Sequence, residues 1–365
     1  MSRTSFVLLL NYTIQPYWDT QLRHRRIHLL RSELSTSNFL VTTFESTADI
    51  EKNLKKEVFL SSHFTVKRKM SNEPPPMPIN FQTVDDYQNI FVRGVDGNLW
   101  KEQPPFGNPP PNRVQVDELV FSFQVWDNSL VAVLGSNRNL WLEQGPFGTV
   151  PPQRVQVDAT VQSFQMISTE EIVVLGTDSN LWIEQGPFGV VPPTRQLVDT
   201  GVTQFYKVPN TTFIFVLGDD GNLWLEDGPA SNRQLVDSDV LSCQALGDPM
   251  SVWVLGVDGS LWLESAPFEP TDRDQIFANV LVFQPLDIND VVVLLNDGTL
   301  WLIGPPSETP DVRVTTQIDF NVRSFAATDT QNVLVLDGDR KLWWDQAPFG
   351  KLLHPKRTLI DLTVA

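Results

Sequence analysis

Four residue types recur together along this chain in an order that suits ligand binding. A tryptophan and a glutamate stand two residues apart on one short segment. A Pro-Phe-type loop follows, and an arginine closes the set, as in Trp182, Glu184, Phe188 and Arg195. The same set recurs as Trp100, Glu102, Phe106 and Arg113, and as Trp141, Glu143, Phe147 and Arg154. It returns as Trp224, Glu226 and Arg233, and as Trp262, Glu264, Phe268 and Arg273. A sugar ring is the ligand such a set fits. Its C–H face stacks on an aromatic ring, while its hydroxyls take directional hydrogen bonds from a guanidinium and a carboxylate. Repeated on one rigid frame, weak sites of this kind give avidity toward multivalent glycans. The same residues also have a structural reading: Trp packs one repeat on the next, Glu and Arg fasten two strands, and Phe anchors the loop.

Other chemistries find less support. The chain has one cysteine, Cys243, which excludes an internal disulfide framework and a multi-thiolate metal site. Three of its four histidines (His24, His28, His63) lie in the first 69 residues, leaving His354 alone in the remainder. There is no histidine cluster, nucleophile elbow or phosphate loop, so no catalytic residue, metal or cofactor is assigned and the expectation is a non-enzyme. The Asp-Gly pairs at Asp96, Asp220, Asp258 and Asp297 read as hairpin turns, because the Asp-x-Asp-x-Asp spacing of a calcium loop is missing. Acidic residues are plentiful, which keeps a propeller lyase or glycoside hydrolase as an alternative. Cys243 replaces a phenylalanine of the repeat and reads as a small core residue.

The elements that must hold these residues follow from the period. Leu-Trp recurs at Trp100, Trp141, Trp182, Trp224, Trp262, Trp301 and Trp343, spaced by 41, 41, 42, 38, 39 and 42 residues. Each unit parses into four short strands: a Phe-Gln strand, a β-branched run, the Leu-Trp-Leu-Glu segment after a tight turn, and an Arg-x-x-Val-Asp strand. Four strands per unit of ~40 residues is the arithmetic of a propeller blade. The fold class is therefore all-β: a seven-bladed β-propeller of four-stranded blades over 79–365, with a non-repeat N-terminal extension. Antiparallel pairing brings the Glu of the third strand to the Arg of the fourth, and such an arginine is read in all seven copies, Arg313 and Arg357 included. Asp345 replaces the Glu once and Ile303 abolishes it once, which predicts Arg313 to be exposed or paired elsewhere. Ala230 and Ser307 stand where the loop Phe is missing. Asp117, Asp158, Asp199, Asp237 and Asp361 read as caps on the crossing to the next blade. The C-terminal Arg357–Val364 matches Arg113–Val120, so the last blade is in phase to dock on the first.

The Gly-x-Leu-Trp hairpins in a Trp-rich unit, from Asp96–Trp100 to Asp339–Trp343, resemble the tectonin-type and bacterial seven-bladed propeller lectins. The resemblance implies sugar binding between blades through Trp and polar partners. The Gly-Pro-Phe-Gly…Pro-Pro loop and the Arg-x-x-x-Asp strand depart from those families' patterns. The runner-up is a protein-interaction scaffold without sugar binding.

Charge narrows the partners. The net charge of −17 divides into +5 over residues 1–69 (11 basic, 6 acidic) and −22 over the rest (16 basic, 38 acidic). A body that acidic repels phosphate backbones, so nucleic acid is not an expected partner, and no apolar run is long enough for membrane insertion. The expected partners are glycans or glycoconjugates, with protein partners second, and the expected state is a monomer. Residues 1–69 are a disordered or spurious extension in this reading, with Met70 as a candidate start and 70–78 as a proline-rich lead-in. Ser5–Leu10 is too short for a signal-peptide core, which points to a cytoplasmic or non-classically secreted protein.

Overall fold

The computed structural model describes residues 80–84, 87–107, 112–229, 233–245, 249–269, 273–307, 313–350 and 355–364. The extension, the lead-in, Met70, Ala230 and all four histidines lie outside them. Among the described residues there is no helix, and the 28 strands form seven four-stranded antiparallel sheets, each built from consecutive strands. Blade one is β1 (Phe81–Val84), β2 (Asn89–Arg93), β3 (Leu99–Gln103) and β4 (Asn112–Asp117). Blades two to seven repeat this order over 120–158, 161–199, 202–237, 240–277, 280–319 and 322–361.

The second strand of every blade is a run of buried apolar residues, such as Ile172–Leu175, with Phe91, Phe215 and Trp253 in blades one, four and five, covered on both faces by neighbouring blades. Alternation along the third strand sends successive side chains to opposite blades. Leu140 and Leu142 join the core shared with blade three, whereas Trp141 and Glu143 turn toward blade one. Each of the seven hydrophobic clusters accordingly spans two adjacent blades. The cluster of Phe81, Ile90 and Val92 with Leu334, Leu342 and Ile360 closes blade seven on blade one. Closure is completed by Gly94, which bridges to Val364, and by Gly107, whose N–H donates to the Leu359 carbonyl at 2.8 Å. The ring therefore closes as the phase of the two termini predicts.

The turns between second and third strands behave as hairpins. Asp96 Oδ1 accepts from the Asn98 N–H, and Asp178, Asp220, Asp258 and Asp297 do the same two residues on. Gly97 follows with φ of 79°, a left-handed position that glycine enters without steric cost.

The recurrent Gln of the first strand has a role that its spacing alone does not show. Gln165 donates to the Lys207 carbonyl at 3.0 Å and accepts from the Lys207 N–H at 2.8 Å, spanning blades three and four as an extra backbone rung would. Gln124 and Gln284 make the equivalent pair of bonds to Met166 and Ala327 of the next blade, and Gln82 donates to the Phe123 carbonyl and accepts from the Val125 N–H.

Candidate functional site

The third and fourth strands bring Glu and Arg opposite one another in the register expected: Glu102 to Arg113, Glu143 to Arg154, Glu184 to Arg195, Glu226 to Arg233, Glu264 to Arg273 and Asp345 to Arg357. The nearest acid to most of these arginines is a different one. Arg154 lies 3.4 Å from Asp117 of the preceding blade and 3.7 Å from its own Glu143. Arg195 meets Asp158 at 3.5 Å, Arg233 meets Asp199 at 3.4 Å, and Arg273 meets Asp237 at 3.5 Å. Arg357 is the tightest, bonding Asp319 at 2.6 Å and Asp345 at 3.0 Å. The fourth-strand aspartates do cap the crossing, since Asp199 and Asp237 each accept the following N–H at 2.8 Å. Each also reaches across to the next blade, which the sequence reading missed.

The motif is thus a triad between blades: Asp of one blade, Glu and Arg of the next. The guanidinium lies over the indole of its own blade, its Cζ 4.3 Å from the ring centres of Trp100, Trp141, Trp182 and Trp262, 4.2 Å from that of Trp224 and 4.6 Å from that of Trp343. One face of each tryptophan is therefore already occupied.

Burial corrects two of the expected contact residues. Glu102, Glu143 and Glu184 are fully buried, and Glu226 and Glu264 nearly so, so a glycan in the groove cannot touch these carboxylates. The loop phenylalanines Phe106, Phe147, Phe188, Phe268 and Phe349 each pack into the core between two blades, the last two being buried and the others partly so. The Gly-Pro-Phe-Gly loops of Phe147 and Phe188 are latched to the fourth strand of the preceding blade. Gly148 N–H donates to the Gln115 carbonyl at 3.1 Å, and Gly189 N–H to the Gln156 carbonyl at 3.0 Å. These loops cover sheet edges that would otherwise be open. What remains at the groove is the guanidinium, with side-chain exposure between 19% for Arg357 and 50% for Arg233, beside half-buried indole.

Electrostatics follow from burial. Removal from water, reinforced by the neighbouring aspartate and opposed by the arginine, pushes Glu102, Glu143 and Glu184 up to about 9. Glu226 and Glu264 rise to about 7 for the same reasons. Asp345 also rises to about 7 through burial, with Arg357 opposing and Asp319 assisting. With both acids ionised, neither oxygen of Glu143 or Glu184 finds a hydrogen-bond donor. A proton on the glutamate removes the clash, because it donates to the aspartate while the arginine balances the one remaining charge. An acid beside a carboxylate is also the pairing of a glycosidase. Here the glutamates are buried, and the aspartates range from 4% side-chain exposure at Asp117 to 22% at Asp199.

Blade six departs at all three positions together. Phe277 stands where the preceding blade should offer Asp, Ile303 replaces the Glu, and Thr315 faces Ile303 where the Arg should be. Arg313, assigned by sequence to the repeat, is two residues out of register and opposite Pro306. Its guanidinium reaches the carbonyls of Asn289 and Gly304, both at 3.4 Å, so it is paired elsewhere as expected. The signal was readable: Arg and Asp are four apart in Arg113–Asp117 but six apart in Arg313–Asp319.

No family model and no curated protein matches the chain. Among solved structures it is similar to Hsv2p of Kluyveromyces lactis, at 12% identity and a TM-score of 0.51, covering 74% of this chain and 93% of that one. It is also similar to the computationally designed Ika8 protein, at 13% identity and 0.54, covering 78% and 87%. The tricorn protease aligns at 10% identity and 0.54 over 78% of this chain and 35% of its own. At such identities the likeness is one of fold. The chain is a seven-bladed β-propeller.

Proposed function

We propose that this propeller is a non-enzymatic carbohydrate-binding protein of the kind its tectonin-like repeat suggests, with contacts in the grooves between blades. The observation that carries the reading is the guanidinium stacked on indole at six of the seven blade contacts and left partly open to solvent. A fixed, charged donor beside an aromatic edge suits a sugar hydroxyl next to a C–H face. In this reading the buried Glu and its neighbouring Asp position the arginine, and the Glu does not touch the ligand. Glycan-array binding by the full chain tests it. Arg195→Ala weakens multivalent binding, whereas Glu184→Gln, which mimics the protonated acid, keeps it. A blank array with folded protein defeats the reading.

A protein-interaction scaffold is the second reading. It is favoured by apolar side chains presented to solvent at the loop end of blades two and three: Val190 at 73% exposure, Trp126 at 43% and Val191 at 40%. A partner whose binding is lost on Val190→Ser with Val191→Ser, beside a blank array, would establish it.

A further inference from the structure

The loop between the third and fourth strands closes most blade contacts in two ways. Its phenylalanine enters the core beside the residue that follows Trp in the preceding blade: Leu142 shares a cluster with Phe188, Leu225 with Phe268, Leu302 with Phe349, and Trp344 with Phe106. The glycine after the phenylalanine then donates its N–H to the outer edge of the preceding blade, Gly107 to the Leu359 carbonyl, Gly148 to that of Gln115 and Gly189 to that of Gln156. Each of these carbonyls lies two residues past an arginine of the repeat. Ring inward and backbone on the sheet edge, the loop occupies its neighbour as a bound peptide would.

The contact between blades three and four lacks both. Arg233 follows Gly228 by five positions, where Arg195 follows Gly186 by nine, and Ala230 stands in the place of Phe188. Ile183, the counterpart of Leu142, shares its cluster with Val198, Val202, Ile214 and Val216, and no loop phenylalanine joins them among the described residues. The Leu197 carbonyl, two residues past Arg195, accepts no loop N–H among them either. Between blades five and six the phenylalanine is missing as well, but Trp253, Ile303 and Phe277 fill that space with apolar carbon. Exposure marks the difference. Arg233 is 50% exposed where the other paired arginines reach at most 35%, and Asp199 is 22% exposed where Asp117 and Asp158 are 8% or less.

We infer that the contact between blades three and four is the docking site of an extended segment of a partner protein, in which phenylalanine is followed by glycine. The ring enters beside Ile183, and the glycine N–H donates to the Leu197 carbonyl, continuing the row of latches established on the edges of blades seven, one and two. The chemistry of the occupant is read from this chain's own loops, which sit on those equivalent strands. A proline before the phenylalanine, as in Pro146-Phe147 and Pro187-Phe188, restricts such a segment in advance and lowers the cost of ordering it. Arg233 keeps its place over Trp224, so the site is separate from the carbohydrate reading.

The test is titration of the full chain with a labelled synthetic peptide of residues 186–194, Gly-Pro-Phe-Gly-Val-Val-Pro-Pro-Thr, followed by fluorescence anisotropy. The expected result is saturable binding at a stoichiometry near one, because the other edges keep tethered loops that a free peptide does not displace. Phe188→Ala in the peptide weakens binding by at least about tenfold, the loss expected when a ring is no longer buried. Sarcosine in place of Gly189 in the peptide removes the donating N–H and weakens it by about fivefold. Grafting residues 187–194 into the chain in place of 229–232 gives blade four the loop of blade three. That graft abolishes peptide binding and raises the melting temperature. Should it fail to fold, Ile183→Ser serves, and weakens binding by at least about fivefold through loss of the apolar floor. No saturable binding by the unmodified chain overturns the inference. So does binding undiminished by the graft, by Ile183→Ser or by Phe188→Ala in the peptide. The glycan array judges the carbohydrate reading whatever the peptide does.

Discussion

Six of the seven contacts between neighbouring blades hold Asp, Glu and Arg, or Asp, Asp and Arg, at the same three positions beside a tryptophan, and in five of them the arginine is ion-paired to the preceding blade's aspartate. The contact between blades five and six holds Phe277, Ile303 and Thr315 at the same three positions. Ile303 is fully buried in a cluster with Trp253, Ile276 and Phe283, with Phe277 packed at its edge, so the space is filled by apolar carbon. The two solutions occupy one frame in one chain. The difference teaches that the triad acts as a unit. Losing one member strands a sealed charge, whereas losing all three strands nothing, and only the second outcome is found.

The largest expected effect comes from breaking a triad at its arginine. Arg357 is the most enclosed of these arginines and bonds both Asp345 and Asp319, which are themselves buried. Arg357→Ala should destabilise the fold by about 3–5 kcal/mol, measured by urea unfolding at pH 7. Copying the other solution in full, with Asp319→Phe, Asp345→Ile and Arg357→Thr together, should be neutral or stabilising by about 1–4 kcal/mol. A triple variant as unstable as the single one would refute the unit. The reverse experiment is Ile303→Glu, which buries an acid beside Phe277 and Thr315 and should cost about 3 kcal/mol. Adding Phe277→Asp and Thr315→Arg should recover most of it.

A smaller effect separates the two kinds of contact by pH. The glutamates of the triads have folded pKa values raised above their ordinary 4.5, so the folded chain holds protons that the unfolded chain releases. Their contribution is whole below pH 4.5 and is lost as pH rises toward about 7 for Glu226 and Glu264 and about 9 for Glu102, Glu143 and Glu184. Stability should therefore fall between pH 5 and pH 9 (alkaline loss, not gain). Glu184→Gln should flatten that slope by up to about 1.4 kcal/mol per pH unit, the value for one proton. Ile303 and its neighbours add nothing to it. A melting temperature that is flat across this range, or an unaltered slope in Glu184→Gln, would show that these pairs do not share a proton.

The blade count, the four strands and the ring closure were legible in sequence because the repeat imposes them locally: a Leu-Trp pair after an Asp-Gly turn can be read within a few residues. Glu184 opposite Arg195 was legible for the same reason, as a consequence of antiparallel register. Asp158 as a partner of Arg195 was not, because that contact joins residues of two blades and depends on how far the sheets twist past one another. The burial of Phe188 was likewise undecidable from a Pro-Phe loop, which can present a ring to solvent or fold it inward. The latch of Gly189 on Gln156 settles it inward. The short loop of blade four was visible in the sequence but had no meaning until Leu142 and its counterparts were seen to pack on the next blade's phenylalanine.

The smallest effect is expected where sequence similarity is most misleading. Arg313 aligns with the other arginines of the repeat, yet a two-residue offset puts it opposite Pro306 and, among the described residues, within reach of the carbonyls of Asn289 and Gly304, at a long 3.4 Å. No sealed carboxylate depends on it, and no guanidinium lies over Trp301 among the described residues. Arg313→Ala should therefore cost less than about 1 kcal/mol, the range of a weak, solvent-reached hydrogen bond. Arg357→Ala should cost several times as much under the same conditions. Equal losses in the two variants would mean that the arginines act through packing on the outer strand and not through the charge they balance, and the contrast between the two kinds of blade contact would lose its electrostatic basis.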